Sequence, residues 1–197
     1  MDINHRIGAR VRQLRAAAGL TLDVLAERAQ VSRSMISLIE RGEASPTAVV
    51  LERLATGLGV MLATLFDAPQ ATPDPVVRRA AQGEWRDPAT GYLRRNLSPP
   101  GFDTPLRLVE VLFPPGATVA YDSAARASPV HQQIWVIAGR MEITLGEAVH
   151  ALAAGDCLAM VLDRPITFHN PTAREARYLV AIAMLRGARG EGTAPWT

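Results

Sequence analysis

The chain has 197 residues, 48% of them hydrophobic and 20% charged, with a formal net charge of +2. That balance fits one large or two small folded domains and excludes a disordered chain. No apolar run approaches the roughly 20 residues that span a bilayer, and the charged start MDINHRIGAR lacks the apolar segment of a signal peptide. A cytoplasmic protein with no membrane partner is expected. The basic excess is local: residues 1–66 hold eight Arg against six acids, residues 67–197 hold thirteen of each, and there is no Lys. Cys157 is the single cysteine, which rules out an internal disulfide. It reads as a buried apolar residue.

In chain order, residues 3–66 predict short helices. Ile3, Ile7, Val11 and Leu14 recur at helical spacing, and Gly19 ends the first helix. Thr21 suits an N-cap before Leu22, Leu25, Ala26 and Ala29. Ser32 suits another, before Ile36, Ile39 and Glu40. Ser45-Pro46 predicts a cap with proline at the first helical position, opening a helix through Leu51, Leu54 and Leu58. A short turn covers Leu62 to Phe66. Residues 67–75, DAPQATPDP, hold three prolines and two acids, and a linker is expected over 67–83. From 84 to 186 the texture is β-rich. RLVEVLF (107–113), IWVIAG (134–139), RMEITL (140–145), CLAMVL (157–162) and ARYLVAIAML (176–185) alternate with turn sequences. Strands at that spacing predict an antiparallel sandwich or barrel, with Met141, Ile143 and Leu145 facing in. Residues 187–197 read as a flexible tail.

A tightly joined helix pair reads DNA when its second helix lies in the major groove and presents short polar side chains from its first turn. Ser32, Arg33, Ser34 and Ser37 fit that need. Arg33 suits a bidentate contact to guanine, and Ser34 and Ser37 reach bases or phosphate. The set Gly19-Leu20-Thr21, Leu25-Ala26, Ala29, Val31-Ser32, Ile36-Ser37, Glu40-Arg41-Gly42, Pro46 and Leu58-Gly59-Val60 resembles the helix-turn-helix of the XRE (phage-repressor-like) regulators. The resemblance spans residues 3 to 66. Gln30 departs from it, standing where the family has glycine in the turn. The resemblance implies that Thr21 faces a phosphate at a helix N-terminus, that Arg41 is a second phosphate contact, and that Arg15 and Glu40 form a structural ion pair. A helical bundle that binds protein is the alternative.

The strand region resembles a cupin, a small barrel of two facing sheets. GDCLAMVLDRPITFHN keeps Gly155 and Asn170 of the second cupin motif, but Val161 and Asp163 replace its proline and glycine. Ile166 stands in place of the metal-binding histidine. In the first motif Gly139 is kept and Gln132 takes the glutamate position. Counting back from Gln132 puts Arg126 and Ser128 at the two histidine positions; counting forward from Gly116 puts Asp122 and Ala124 there. The family's metal ligands are thus missing, and neither metal nor cofactor is expected. His131 and His169 stand one step from ligand positions, and one step along a strand reverses the face. Arg126, Ser128, Gln132, Ile166 and Phe168 are the candidate effector pocket. Trp135, Tyr121 and Phe168 read first as core. Arg126 or Arg107 could hold an anion, although a solvated arginine is the commoner case.

The expected fold class is therefore multi-domain: an all-α helix-turn-helix domain over 1–66, then an all-β cupin-like barrel over 84–186. The expected function is a sequence-specific transcription regulator, not an enzyme. Its partners would be double-stranded DNA with an inverted-repeat operator, a second copy in a homodimer, and a small-molecule effector. Two alternatives stay open: a metal-dependent cupin oxygenase or isomerase carrying a DNA-binding head, and a cupin that is a ligand-free dimerisation scaffold.

Overall fold

The structure, a computed structural model, describes residues 3–67, 74–102, 104–122 and 130–184. Residues 68–73 of the expected linker and the whole expected tail lie outside them. Four helices come first: α1 (Ile3–Ala17), α2 (Leu22–Ala29), α3 (Arg33–Glu40) and α4 (Ala48–Leu58). A 3₁₀ turn, Leu62–Phe66, closes the helical domain. Their apolar faces meet in a core that includes Ile7, Val11, Leu25, Ile36, Ile39, Leu51 and Leu54, all fully buried.

Local chemistry sets the helix ends. The Thr21 hydroxyl accepts from Val24 N at 3.2 Å and the Ser32 hydroxyl from Met35 N at 3.2 Å. Each satisfies one of the free amides that begin a helix. Gln30 closes α2 in the left-handed region at φ 51°. Its side-chain amide donates to Glu27 O at 2.8 Å, an interaction that offsets some of the strain of a non-glycine residue there. The cap of α4 differs from the expected Ser45-Pro46. Thr47 is the N-cap and accepts from Val50 N at 3.4 Å, while Ser45 accepts from Asn4 Nδ2 at 2.8 Å. Two hydroxyls two residues apart compete for one role, and the contact of Ser45 with α1 decides between them.

Ten strands follow: β1 (Glu84–Arg86), β2 (Leu93–Asn96), β3 (Leu106–Phe113), β4 (Thr118–Tyr121), β5 (Val130–Ala138), β6 (Arg140–Leu145), β7 (Ala148–Ala153), β8 (Cys157–Val161), β9 (Ile166–His169) and β10 (Ala176–Met184). They form a six-stranded sheet in the order β1-β2-β3-β10-β5-β8 and a four-stranded sheet in the order β4-β9-β6-β7. All described pairings are antiparallel. Alternation along the strands sends Val109, Val111, Phe113, Tyr178 and Val180 of one sheet toward Val119, Met141, Ile143 and Phe168 of the other. This is the two-sheet cupin-like architecture.

The same alternation corrects two expectations. Trp135 is not core: it is 48% exposed. Cys157 is not buried: it is an exposed free thiol. The two are register partners across β5 and β8. Gln132 pairs with Met160 on the inner face, so residues an odd number of steps away fall outside.

The helical domain docks on the barrel. α4 packs against β4. Asp87, just after β1, is 2% exposed, and its Oδ1 accepts from Ala48 N at 2.9 Å. Its Oδ2 accepts from Thr90 N at 2.9 Å and from the Thr90 hydroxyl at 2.6 Å. The Phe66 ring lies 5.6 Å from that of Trp85, and Asn96 Nδ2 donates to Ala63 O at 3.3 Å.

Candidate functional site

Two sites emerge, one on each domain. On the helical domain, α3 presents its first turn to solvent: Ser32, Arg33, Ser34 and Met35 are all exposed. Ser32 and Ser34 hydroxyls lie 3.2 Å apart. Arg33 Nε is 3.1 Å from Asp23 Oδ1. Both side chains are well exposed, so the pair is weak and yields readily to a better partner. Arg41 donates to the Ser37 hydroxyl and to Glu43 Oε2, the latter at 2.7 Å. Thr21 and Ser32 thus cap the two helices of the pair, while Arg33, Ser34, Ser37 and Arg41 share the outer side of α3 and its C-terminus. Met35 was missed by sequence reasoning. An apolar side chain on a solvated turn reads as core until the tertiary packing leaves it outside.

Behind this surface, Arg15 Nε and Nη2 reach the two Glu40 oxygens at 2.6 and 2.7 Å. Arg15 also donates to Leu20 O at 3.0 Å. The hydrogen bond that Arg15 donates to Glu40 raises the Arg15 pKa, against the opposing effect of burial. Glu40 therefore ties α3 to α1. Glu40→Ala leaves a largely buried guanidinium unpaired, and a destabilisation of about 2–3 kcal/mol is expected. Urea denaturation checks this; a midpoint equal to that of the parent would mean the pair contributes nothing.

The second site is inside the barrel. Between the two sheets is a cavity of about 70 Å³. Gln132, Ile166 and Phe168, expected from the sequence, line it together with Tyr92, Arg94, Tyr121 and Tyr178. The other two expected residues, Arg126 and Ser128, lie outside the described residues. Arg107 is elsewhere, 3.6 Å from Asp67. His131 is exposed on the outer face. His169 Nδ1 lies 2.9 Å from the Thr118 hydroxyl and 3.2 Å from Ala117 O. Neither histidine lines the cavity. A divalent cation held as in metal-binding cupins does not fit these residues: Gln132 is a neutral amide and Ile166 has no donor atom. No group of three or more His, Cys, Asp or Glu side chains suited to a metal occurs among the described residues.

Tyr92 and Tyr121 hydroxyls are 3.1 Å apart. Burial pushes the phenols of Tyr92, Tyr121 and Tyr178 up, so they stay neutral. Sequence reasoning missed Arg94. β2 reads LRRN, and nothing in those letters says which arginine faces in. Pairing with β3 decides it, setting Arg94 opposite Val111 on the inner face and Arg95 opposite Glu110 on the outer. The helical domain completes the wall with Glu52, Met61 and Leu62.

An exposed polar turn on the second helix of a capped pair, joined to a cupin-like barrel, defines a two-domain transcription regulator. Residues 6–67 match the family model described as a helix-turn-helix domain. SutR of Escherichia coli, an HTH-type transcriptional regulator, is 47% identical over 64 residues, which are 32% of this chain and 36% of SutR. The match therefore spans about a third of that relative. The protein y4dJ of Sinorhizobium fredii, named an uncharacterized HTH-type transcriptional regulator, is 34% identical over 73 residues, 37% of this chain and 95% of y4dJ. A crystal structure of an HTH_3 family transcriptional regulator from Vibrio cholerae aligns with 93% of this chain and 98% of its own, at 26% identity and a TM-score of 0.76. The chain belongs to the HTH-type transcriptional regulators of the XRE kind. No described helix is long and apolar enough to cross a membrane.

Proposed function

We propose that this regulator is a one-component sensor: its cupin-like domain binds a small effector and pairs two copies, and effector occupancy changes the affinity of the two heads for an inverted-repeat operator. One observation carries the reading. Glu52, Met61 and Leu62 of the DNA-binding domain form part of the cavity wall. A molecule in the cavity therefore touches both domains, and its preference for one head position over another becomes a change in DNA affinity of the same size. Among the described residues the cavity wall has no paired nucleophile and base, and we read the barrel as a sensor, not an enzyme.

At the DNA, we assign Arg33 to a guanine, Ser34 and Ser37 to bases or phosphate, and Thr21, Ser32 and Arg41 to phosphates. Arg33→Ala should cost about 1–3 kcal/mol on the preferred site and much less on random DNA. Arg41→Ala should weaken both and reduce the salt slope by about one. Fluorescence anisotropy on the two DNAs across a salt series separates these roles. Equal losses for Arg33→Ala on both DNAs would make Arg33 a phosphate contact.

One head reads too few base pairs to stand out among genomic competitors, and two-fold pairing solves this. The outer face of the six-stranded sheet supports pairing through the barrel: Trp135 stands there beside Leu179. In sedimentation of the full chain, Trp135→Glu should weaken the dimer at least about tenfold. A parent protein that is monomeric at micromolar concentration overturns the pairing. A specific operator complex that ignores every metabolite in a broad screen would favour the scaffold reading, and stoichiometric bound metal the enzyme reading.

A further inference from the structure

We propose that the cavity is a site for a small monocarboxylate, held by Arg94 and read out through Phe66 of the DNA-binding domain. This rests on the sensor reading above and names the chemistry of its ligand. Arg94 projects from β2 into the barrel and is 6% exposed. Its Nε and Nη2 have no hydrogen-bond partner. Among the described residues no carboxylate pairs with it. Burial lowers its pKa, yet a guanidinium remains charged. Its near neighbour is the Phe66 ring, 5.3 Å from the guanidinium carbon. That contact engages the cation through the ring and leaves Nε and Nη2 unpaired.

A buried, unpaired charge is costly, and most such charges in folded proteins are matched by a partner. The neighbouring buried pair is matched. Arg95 bonds Glu84 and Glu110, and Glu110 also accepts from the half-exposed Arg177 at 2.7 Å. Arg94 differs in facing the cavity. An anion entering the barrel supplies the missing partner and meets a planar fork suited to a carboxylate.

The rest of the wall limits the ligand. Arg94 is the one cation lining the cavity among the described residues, and Glu52 lines it too, engaged in an interaction of its own. Arg94 therefore matches a single carboxylate, and the Glu52 carboxylate in the same wall disfavours a second negative charge, as on a phosphate dianion or dicarboxylate. Val119, Ile166, Phe168 and Val180 give the remainder an apolar part, which suits a short hydrocarbon body. The volume is about 70 Å³, against the roughly 150 Å³ of a cavity that admits benzene. The ligand is thus a few carbons long. The readout follows from position. Phe66 ends the helical domain, so drawing the guanidinium toward a carboxylate changes the contact that seats the head.

The test uses the full chain and thermal melting, with formate, acetate and propionate as probes, their amides as neutral controls, and phosphate and chloride as ionic controls. Carboxylates at about a hundredfold excess over Kd should raise the melting temperature by several degrees, and the controls should not. Arg94→Met should reduce carboxylate affinity at least about tenfold and raise the melting temperature of the ligand-free protein, since it removes an unpaired buried charge. A merely structural arginine predicts the reverse: a ligand-free Arg94→Met protein that melts lower. Arg94→Gln repeats the comparison if the methionine variant does not fold. Equal shifts by acids and amides, or shifts that survive loss of Arg94, overturn the proposal. Saturation by a neutral or cationic metabolite alone also overturns it while leaving the sensor reading intact. Carboxylate binding that depends on Arg94 but leaves operator affinity unchanged supports the site and sinks the sensor reading.

Discussion

Gly8→Ala is expected to unfold the DNA-binding half under conditions where the parent is stable. Gly8 lies within α1, where alanine in place of glycine normally stabilises a helix by about 1 kcal/mol. Here the sign should reverse. A Cβ at Gly8 would sit 2.1 Å from Ile39 O and 3.1 Å from the Ile39 carbonyl carbon, both backbone atoms of α3. Backbone cannot rotate away as a side chain can, so α1 and α3 must separate. Their separation also pulls on the Arg15–Glu40 pair, which spans the same two helices. A net loss of at least about 3 kcal/mol is expected, at the upper end of overpacking effects. Native domains are stable by only about 5–15 kcal/mol, so DNA binding near 37 °C should suffer with it. Urea denaturation followed by helical circular dichroism measures the effect. Because propensity and sterics predict opposite signs, a variant as stable as the parent would show that the helices are not in contact at this point.

Asp87→Ala should be the next most severe change, and its effect should fall on the joint between the domains. The carboxylate accepts from three donors, one of which is the first amide of α4. It thus caps α4 from a different domain, where a negative charge also complements the positive end of the helix. Removing it leaves Ala48 N–H buried without a partner, since Ala48 itself is 1% exposed. A hydrogen bond to a charged group contributes about 1.5–3 kcal/mol, so a loss of about 3 kcal/mol is expected. Loosening of the joint should also appear as faster proteolysis near residues 67–75 and as weaker coupling between effector and operator. A variant with normal melting and normal coupling would show that Asp87 is not the latch.

On the sensor reading proposed above, the Asp87 and Phe66 contacts would couple the two domains. Two domains that met only through a linker would have independent heads. Here an aromatic series runs from Phe66 through Trp85, Tyr92, Phe113 and Tyr178 to Phe168, each ring 5.6–6.2 Å from the next. Its members from Tyr92 onward line the cavity. Packed rings shift together because close-packed interiors have little free volume, so a change at the cavity wall reaches the base of the head.

The sequence alone determined what depends on near neighbours along the chain. Helix faces follow from the spacing of Ile7, Val11, Leu25 and Ile36, and the Thr21 and Ser32 caps from hydroxyls three residues before a free amide. The polar turn of α3 could be read in the same way, because its exposed and buried positions repeat with the helix period. The strands were legible as β-rich runs between turns, and the places of Gln132 and Ile166 in the cavity wall from fixed spacings. Only the tertiary structure decided matters of register and long-range contact. Arg94 and Arg95 are adjacent and chemically identical, and pairing with β3 alone sends one into the cavity and the other out. Trp135 and Cys157 are apolar in composition, yet a period of two places them outside once Gln132 is inside. Asp87 looks like an ordinary turn residue before Pro88, and its role at Ala48 depends on a partner 39 residues away. Gly8 looks like a tolerated defect in a helix, and its need is set by Ile39 across the core. The physical reason is common to all four: periodicity reports which residues share a face, while what that face meets depends on how distant segments pack.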